Sequence, residues 1–567
     1  MRIFALLAIL FTITIISNAC SSDDTSSEAN ANNETNAGNS KELADDQVLN
    51  LASGEEIRTL DISKATEETG IGIISRINSG LMIYDDNELV PDVAEDMPET
   101  NEDNTEYTYT IRDDAVWSDG SKVTADDFVY SWQRALSPEI ESQYTYIFES
   151  AHIENAKEIV DEDSDIYGDV EKLGVEAKDD STLVVTLSEP TPEEYFNSMM
   201  EFSPFFPLKE EFVEEQGDEY AQEPENLLYN GAYELEEWDH GVGWKLVKND
   251  DYWDADNVTI EEVNYQVVKD TNTSIKLYES GEIDRTGLVA ENVDKYQDDE
   301  EFEEIPDTGV FYWDFNRDTI PEFKNKKVRQ AFFYAIDRAS LIDVVLNNVS
   351  TSANYVVPKD FATGPDGEDF HVEGGIADPE SYPDTDKEKA KELWEEAKEE
   401  EGFDEIEIEM MTTDGELPGI IADYYAEQLT ETLDGLELNI NKQPYNSYVD
   451  QKSSGQIELG VGEGWWPDYE DPMAFLELFK SDNPQNTYGL ADEKYDDLIA
   501  EAESLGDDPE KRWETLQEAE KYLIEEAHIV PIYQTGSAIL SKNFLDGIVD
   551  QPNGISMFYR HGKVYEH

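Results

Sequence analysis

The most informative stretch of the chain is residues 108–132, which read TYTIRDDAVWSDGSKVTADDFVYSW. Its first four residues are β-branched or aromatic and predict a strand. A Ser-Asp-Gly turn follows at 118–120. Thr124 then precedes a run of helical periodicity, where it would act as the N-cap with Asp126 and Asp127 at the positive end of the helix dipole. This stretch therefore predicts a strand, a turn and a capped helix over 125–135.

Similar patterns recur along the chain without an internal repeat. Runs rich in β-branched and aromatic residues predict strands at 48–51, 107–111, 182–187, 244–247 and 406–410. Helical periodicity predicts helices at 325–335, 386–399, 420–433 and 509–526. The mixed order of strands and helices predicts an α/β protein.

The charge of the chain excludes several partners. The 567 residues carry 133 Asp and Glu against 39 Lys and Arg, a formal net charge of −94. Nucleic acid and anionic lipid are bound through basic side chains, so neither is an expected partner. Self-repulsion of this size is tolerated best where salt screens it, and we therefore expect a saline or alkaline medium.

The composition nevertheless predicts a folded protein. Apolar residues make up 39% of the chain and aromatic residues 11%, enough to build a substantial core. A chain of this length exceeds one ordinary core, so we expect two or three lobes.

The N-terminus predicts export and anchoring. One Arg, an apolar run over 3–16 and small residues up to Ala19 are typical of a signal peptide over 1–19. Cys20 is the only cysteine, and its place after Ala19 resembles the lipobox of bacterial lipoproteins, although Ser17 stands where Leu is usual. An ordinary signal peptide with an incidental Cys is the alternative. Under the lipoprotein interpretation, residues 20–46 would be a lipidated Cys and a disordered tether, because the stretch is nearly free of large apolar residues.

Ten further segments carry a family resemblance together with 108–132. They are LGV at 173–175, DDSTL at 179–183, LSEP at 187–190, NGAY at 230–233, YW at 252–253, SGEID at 280–284, KVRQA at 327–331, AIDR at 335–338, GWWPDYEDP at 464–472 and VPIY at 530–533. In this order they resemble the peptide-binding subunits of ABC importers, with oligopeptide-binding proteins as the nearest relatives. The resemblance spans nearly all of residues 47–567.

The resemblance implies an α/β fold of two lobes that close like a clam shell, the type II periplasmic-binding-protein architecture with an extra inserted subdomain. Lobe I would comprise 47–82, 226–309 and 535–567, and the inserted subdomain 83–225. Lobe II would be 310–534, with a hinge near 311–315. Two chain crossings between lobes would allow rigid-body closure over a ligand.

The expected ligand is an oligopeptide, held mainly through its backbone. The N-terminal ammonium is common to every free peptide, and a carboxylate that receives it fixes the register. The resemblance gives this role to Asp468. It gives backbone contacts to Gly464 and Trp466, a side-chain pocket wall to Trp465, and further contacts to Tyr469, Tyr144 and Tyr146. Core packing is the alternative for the two tryptophans and solvation for the acid.

The resemblance also leaves one expected feature unfilled. Some relatives receive the peptide's C-terminal carboxylate with a basic residue six positions before the amine-binding Asp, and Gly462 stands there. Lys442 and Lys452 are the candidates to replace it. We therefore expect a loosely held ligand C-terminus and a variable peptide length.

Rival functions find less support in the sequence. A secreted glycosidase would need two carboxylates at a defined separation, which this many acids supply only by chance. The chain has no G-x-S-x-G and no H-E-x-x-H sequence, and its six His residues form no motif. We expect no enzyme activity, no cofactor and no metal. The same architecture with another cargo (a dipeptide, a nickel complex or a sugar) and a peptide-sensing receptor both remain open.

The expected role is capture and delivery. The loaded protein, a monomer on the outer face of the cell membrane, would dock on ABC permease subunits. The sequence has no G-x-x-x-x-G-K-[ST] phosphate loop, so another chain would hydrolyse the ATP.

Overall fold

The computed structural model describes residues 42–85, 88–371, 385–462, 464–506, 508–550 and 557–567. The chain divides into two units, Met1–Glu42 and Leu43–His567, and the described residues belong almost entirely to the second. The predicted signal peptide, Cys20 and nearly all of the predicted tether lie outside the described residues.

Three sheets organise the second unit. A four-stranded sheet has the order Val48–Ser53, Glu262–Val267, Gly243–Lys248, Tyr233–Asp239. A second four-stranded sheet has the order Glu99–Thr100, Glu106–Thr110, Thr182–Thr186, Val175–Asp179. The largest sheet has the order Arg285–Leu288, Val530–Ser541, Phe302–Phe315, Leu459–Gly460, Ile406–Thr413, Leu436–Gln443, with Thr351–Ser352 and Gly464–Trp465 paired beside it. Two-stranded ribbons pair Met82–Asp85 with Glu88–Pro91 and Leu545–Asp546 with Lys563–Val564.

The α-helices lie between and around these sheets. They are Glu68–Ile77, Ala125–Ala135, Thr145–Ser150, Ala156–Val160, Glu193–Met199, Glu210–Gln216, Thr271–Ser280, Glu291–Tyr296, Lys326–Ala335, Arg338–Ser340, Lys387–Glu401, Glu416–Thr432, Tyr445–Ser453, Met473–Leu476, Glu493–Glu503 and Pro509–Glu525. Within the described part of the chain, none of them combines the length and the apolar character that a membrane span requires.

The strand–turn–helix prediction over 108–135 is confirmed. The helix spans Ala125–Ala135, and the backbone N–H of Thr124 donates to the Asp127 carboxylate at 2.9 Å. That carboxylate also accepts from the indole N–H of Trp117 at 3.0 Å. The Asp127 carboxylate thus accepts from both the helix N-cap residue and the buried Trp117 ring. Because these residues lie close together in the sequence, the stretch can be predicted from its own residues.

The other predicted elements are confirmed within a few residues. Asn325, Asp386 and Asp508 each accept a backbone N–H at the start of their helices. The largest difference is the helix predicted to begin at Ile420, which begins at Glu416. A proline inside a helix usually interrupts it. Pro418, however, lies in the first turn, where a backbone N–H has no intrahelical partner and its absence costs little.

Two long strands connect the predicted lobes. Phe302–Phe315 runs antiparallel to Val530–Ser541, from Phe302 opposite Leu540 to Trp313 opposite Val530. The pairing is interrupted between Pro306 and Val310 and again between Phe311 and Tyr312. These irregularities begin just before the predicted hinge at 311–315.

The buried hydrophobic side chains of the described residues form several clusters. The four-stranded sheet of Val48–Ser53 has its own cluster of buried side chains, and so has the part of the large sheet around Ile406–Thr413. The buried side chains of the inserted region, 81–205, form one cluster with residues from 353–370 and 469–529. The inserted region therefore packs closely on part of lobe II, while the domain bounds themselves stay a prediction.

The acidic surface leads to a first expected result. Helix Lys387–Glu401 buries Ala390, Trp394 and Ala397 and leaves its many acids on the outer face. Because added salt screens repulsion among such exposed charges, we expect the melting temperature to rise by several degrees between low salt and about 1 M NaCl, where the Debye length is about 3 Å. Sucrose at equal osmolarity is the control for surface exclusion. Equal melting temperatures at low and high NaCl would contradict a salt-adapted surface.

Candidate functional site

The segment that carries Asp468 is fixed by its neighbours. Gly464–Trp465 pairs with the long strand, with Gly464 opposite Phe311. A Cβ at Gly464 would lie 2.7 Å from the Phe311 ring, so the close pairing requires glycine. The Trp466 indole N–H donates to both carboxylate oxygens of Asp307, at 3.1 and 3.0 Å. These contacts hold the segment in one position and so determine where Asp468 lies.

Asp468 is buried and receives two tyrosine hydroxyls. The residue is only 8% exposed to solvent. Tyr146 Oη donates to Oδ2 at 2.9 Å, and Tyr144 Oη donates to Oδ1 at 3.3 Å. The two rings stack with centroids 5.8 Å apart, and the edge of Phe202 packs on Tyr144 at 5.0 Å. The structure thus brings together three residues that the sequence analysis singled out from segments more than 300 positions apart.

The charge state of Asp468 depends on its surroundings. Burial raises the pKa of this carboxyl to about 7, although the tyrosine hydroxyls favour the ionised form and oppose the shift. No Lys or Arg occurs among the described residues that line the adjoining cavity. A buried carboxylate without a cation is unfavourable, so a cationic ligand would stabilise this site.

Asp468 faces a cavity of about 240 Å³. By the predicted bounds, its lining comes from lobe I, from the inserted region and from lobe II. The lining residues are Glu55, Thr66, Glu67, Glu68, Thr69, Ile71, Ser75, Tyr144, Glu201, Phe202, Phe311, Tyr445, Gly462, Gly464, Trp465, Trp466, Pro467 and Asp468. The position where three parts of the chain meet is where a closing clam shell would enclose a ligand.

The remaining predicted residues take different positions. Trp465 lines the cavity half-buried, and its indole N–H has no hydrogen-bond partner among the described residues. Trp466 lines it too, with its ring packed over Gly309. Tyr146 reaches Asp468 without being part of the cavity wall.

Tyr469 lies in the core instead of at the cavity. Its hydroxyl donates to Glu477 at 2.5 Å, and its ring packs edge-on against Tyr195. The backbone that turns Asp468 toward the cavity turns the next side chain away from it. The expected ligand contact of Tyr469 is therefore not met, and the residue anchors the segment from behind.

The two lysines considered for the ligand C-terminus do not line the cavity, whereas Gly462 does. Lys442 Nζ lies 3.6 Å from the carboxylate of Asp423. A Cβ at Gly462 would lie 3.0 Å from the Thr412 backbone, which leaves little room for a basic side chain at this position.

Two buried acids at the cavity were missed by the sequence analysis. Glu67 is 2% exposed and accepts backbone N–H groups from Arg58 and Thr66. Glu201 is 5% exposed and lies in the run Met199-Met200-Glu201-Phe202. An acid inside an apolar run is the signal that could have identified Glu201, since most of the other acids lie in polar stretches.

A second, larger cavity of about 1000 Å³ is lined in part by Glu470, Asp471 and Arg512. Arg512 and Asp471 form a two-pronged ion pair with both N–O distances at 2.7–2.8 Å. Asp471 in this cavity is therefore already paired with a cation, unlike Asp468. The smaller cavity is the candidate site because it holds Asp468, a buried carboxylate that no lining Lys or Arg pairs with among the described residues.

Two ion pairs join the predicted lobe I to the predicted lobe II. Arg58 Nη2 lies 2.7 Å from Asp450 Oδ1, and Lys269 Nζ lies 3.0 Å from Asp414 Oδ1. Both pairs are partly exposed, so each contributes at most about 1 kcal/mol. Pairs this weak favour a closed arrangement without locking it.

The described residues contain no group of three or more His, Cys, Asp or Glu side chains placed to hold a metal ion. The histidines that are buried bond to acids. His371 faces Glu520 at 3.2 Å, and His528 faces Asp492 at 3.1 Å.

This fold and site define a solute-binding protein, and comparison with known proteins gives the family. Residues 88–487 match the family of bacterial extracellular solute-binding proteins, family 5 Middle. The chain is 32% identical over 476 residues to the dipeptide-binding protein DppE of Bacillus subtilis, covering 83% of each chain.

Solved structures agree with this match. The substrate-binding domain of an oligopeptide ABC transporter from Bacillus anthracis is 37% identical, with a TM-score of 0.86, 93% of this chain covered and 100% of that one. Listeria monocytogenes OppA bound to peptide is 34% identical, with a TM-score of 0.85, 92% of this chain covered and 100% of that one.

The chain therefore belongs to family 5 of the bacterial extracellular solute-binding proteins. Its fold is the two-lobed α/β clam shell of that family, as the resemblance implied. Members of this family are binding proteins without enzymatic activity, which settles the glycosidase alternative.

Proposed function

We propose that this chain is a lipid-anchored, extracytoplasmic protein that captures oligopeptides in the cavity beside Asp468 and delivers them to an ABC import permease. The single observation that carries the proposal is the buried Asp468 carboxylate, which is held by two tyrosine hydroxyls and faces a cavity that no Lys or Arg lines among the described residues. The N-terminal ammonium of a peptide supplies the missing positive charge.

The cavity also suits the rest of a peptide. The backbone of Gly464–Trp465 extends the large sheet at the cavity wall, and an extended ligand can bind beside such a strand. Trp465, Trp466 and Phe311 give apolar walls for side chains without specifying one side chain. A site of this kind fixes the N-terminus and tolerates sequence variation, and it favours an amine over a neutral sugar.

Delivery follows from closure. A ligand that contacts the inserted region, lobe I and lobe II at once favours the closed state, because only that state offers all three sets of contacts. The Arg58–Asp450 and Lys269–Asp414 pairs add to the closed state. The closed monomer would then dock on permease subunits, while a lipid on Cys20 and the tether over 20–46 keep it at the membrane.

Mass spectrometry of protein purified from its native membranes tests this proposal. We expect a mature chain that begins at Cys20 and carries a diacylglycerol group. We also expect copurified peptides of varied sequence that share a free N-terminus. The matched control is the Cys20→Ala variant, which should yield no lipidated chain. A ligand without an amine would contradict the peptide assignment, and an unmodified Cys20 would contradict the anchor.

A further inference from the structure

Glu201 is a second buried carboxylate at the same cavity. It follows helix Glu193–Met199 and precedes Phe202, and it is 5% exposed. Across the described ranges, its carboxylate has no hydrogen bond and no ion pair with any other residue. Burial alone raises the pKa of this carboxyl to about 8.

Glu201 lies close to the Asp468 site through a short chain of contacts. Its neighbour Phe202 packs on Tyr144, and Tyr144 donates to Asp468. Glu201 and Asp468 both line the cavity. A ligand whose ammonium reaches Asp468 therefore has its first residues near Glu201.

A structural role does not explain an unpartnered acid at this position. Buried acids elsewhere in the protein are bonded: Glu477 accepts from Tyr469 and Ser150, and Glu520 accepts the N–H groups of Val356 and Val357 at 2.8 Å. Glu201 receives no such donor, so its burial destabilises the unliganded fold. A bound metal ion is not supported either, because no acid or His cluster of the required size is found in the described residues.

The rest of the lining indicates the charge of the missing partner. Glu55, Glu67 and Glu68 also line this cavity, and no Lys or Arg does so among the described residues. The electrostatic potential inside the cavity is therefore negative. A positive charge on the ligand, in addition to its N-terminal ammonium, is the group that would pair with Glu201.

We propose that Glu201 receives the cationic side chain of a Lys or Arg within the first two residues of the bound peptide, so that the site prefers N-terminally basic oligopeptides. This inference rests on the proposed peptide-binding function and adds a substrate class to it. Asp468 holds the N-terminal ammonium, and Glu201 holds the second positive charge.

Calorimetry with three tripeptides tests the assignment. The probes are Lys-Ala-Ala, norleucine-Ala-Ala, which resembles Lys without its ammonium, and Ala-Ala-Ala, all measured on protein freed of copurified ligand. We expect the wild-type protein to bind the Lys peptide at least about tenfold more tightly than the norleucine peptide. In Glu201→Gln that ratio should fall to about one.

Two controls separate local from long-range charge effects. The acidic surface attracts any cationic peptide, but this attraction is shared by the Glu211→Gln variant, whose substitution lies on the exposed face of helix Glu210–Gln216. It is also screened at about 1 M NaCl, where contact with a buried acid persists. The Glu201→Asp variant, which keeps the charge, should retain part of the preference.

The possible failures are distinguishable. Equal wild-type affinities for the Lys and norleucine peptides would overturn this inference and leave peptide binding intact. A preference that survives in Glu201→Gln would overturn the role of Glu201. If none of the three peptides binds, the proposed function fails as well.

Discussion

Replacing Asp468 by Asn should lower the affinity for peptides with a free N-terminus by about thirtyfold or more. Truncation of one partner in a buried, hydrogen-bonded charge pair costs about 2–5 kcal/mol. Asn is nearly isosteric and still offers an oxygen to Tyr146, which now donates at 2.9 Å. The expected loss therefore reports the missing negative charge and not a rearranged cavity.

Calorimetry on free and N-acetylated Ala-Ala-Ala gives the measurement. Acetylation removes the ammonium, so the wild-type protein should lose as much affinity on acetylation as it loses in Asp468→Asn. The Asp468→Asn variant should bind the free and the acetylated peptide equally weakly, because it already lacks the carboxylate that the ammonium contacts. Asp113→Asn is the control, because its side chain is 96% exposed. If Asp468→Asn still discriminates strongly between the free and the acetylated peptide, another group receives the ammonium.

The sequence was sufficient where short-range interactions determine structure. The helix over Ala125–Ala135 was predicted to its ends, because its cap, its acidic first turn and the preceding Ser-Asp-Gly turn all lie within a few residues of one another. The segment 464–468 was found through its resemblance to a family. The resemblance also selected Tyr144 and Tyr146, and the structure shows how these residues reach the carboxylate.

Burial was the property that the sequence could not supply. Glu201 is one acid among 133, and its 5% exposure is a result of tertiary packing around it. Tyr469 was misplaced for a related reason: its neighbour Asp468 points to the cavity, and the sequence does not say on which side of the backbone the next ring packs. The shared core of the inserted region and residues 469–529 is likewise a tertiary effect.

The second large effect concerns stability without ligand. The Glu201→Gln variant should be more stable than the wild-type protein at alkaline pH, by on the order of 2–4 kcal/mol. Burial raises the pKa of Glu201 from 4.5 to about 8 in the folded state. Between these two values the folded protein holds more protons than the unfolded chain, so its stability falls as pH rises through this window. Above about pH 8 the ionised carboxylate is buried without a partner, and Gln removes this charge.

Melting temperatures of ligand-free protein at pH 5, 7 and 9 measure this effect. The difference between Glu201→Gln and the wild-type protein should be small at pH 5 and should grow up to pH 9. The burial of the Gln amide adds a constant that does not vary with pH, so the change of the difference with pH isolates the carboxylate. Glu211→Gln should show no such change, because the residue is exposed.

A saturating Lys-Ala-Ala peptide should remove the pH dependence, since the ligand's ammonium then pairs with the ionised Glu201. A difference in melting temperature that is the same at pH 5 and pH 9 would show that Glu201 has a partner in the ligand-free protein, and the reason for assigning it a cationic ligand would be lost.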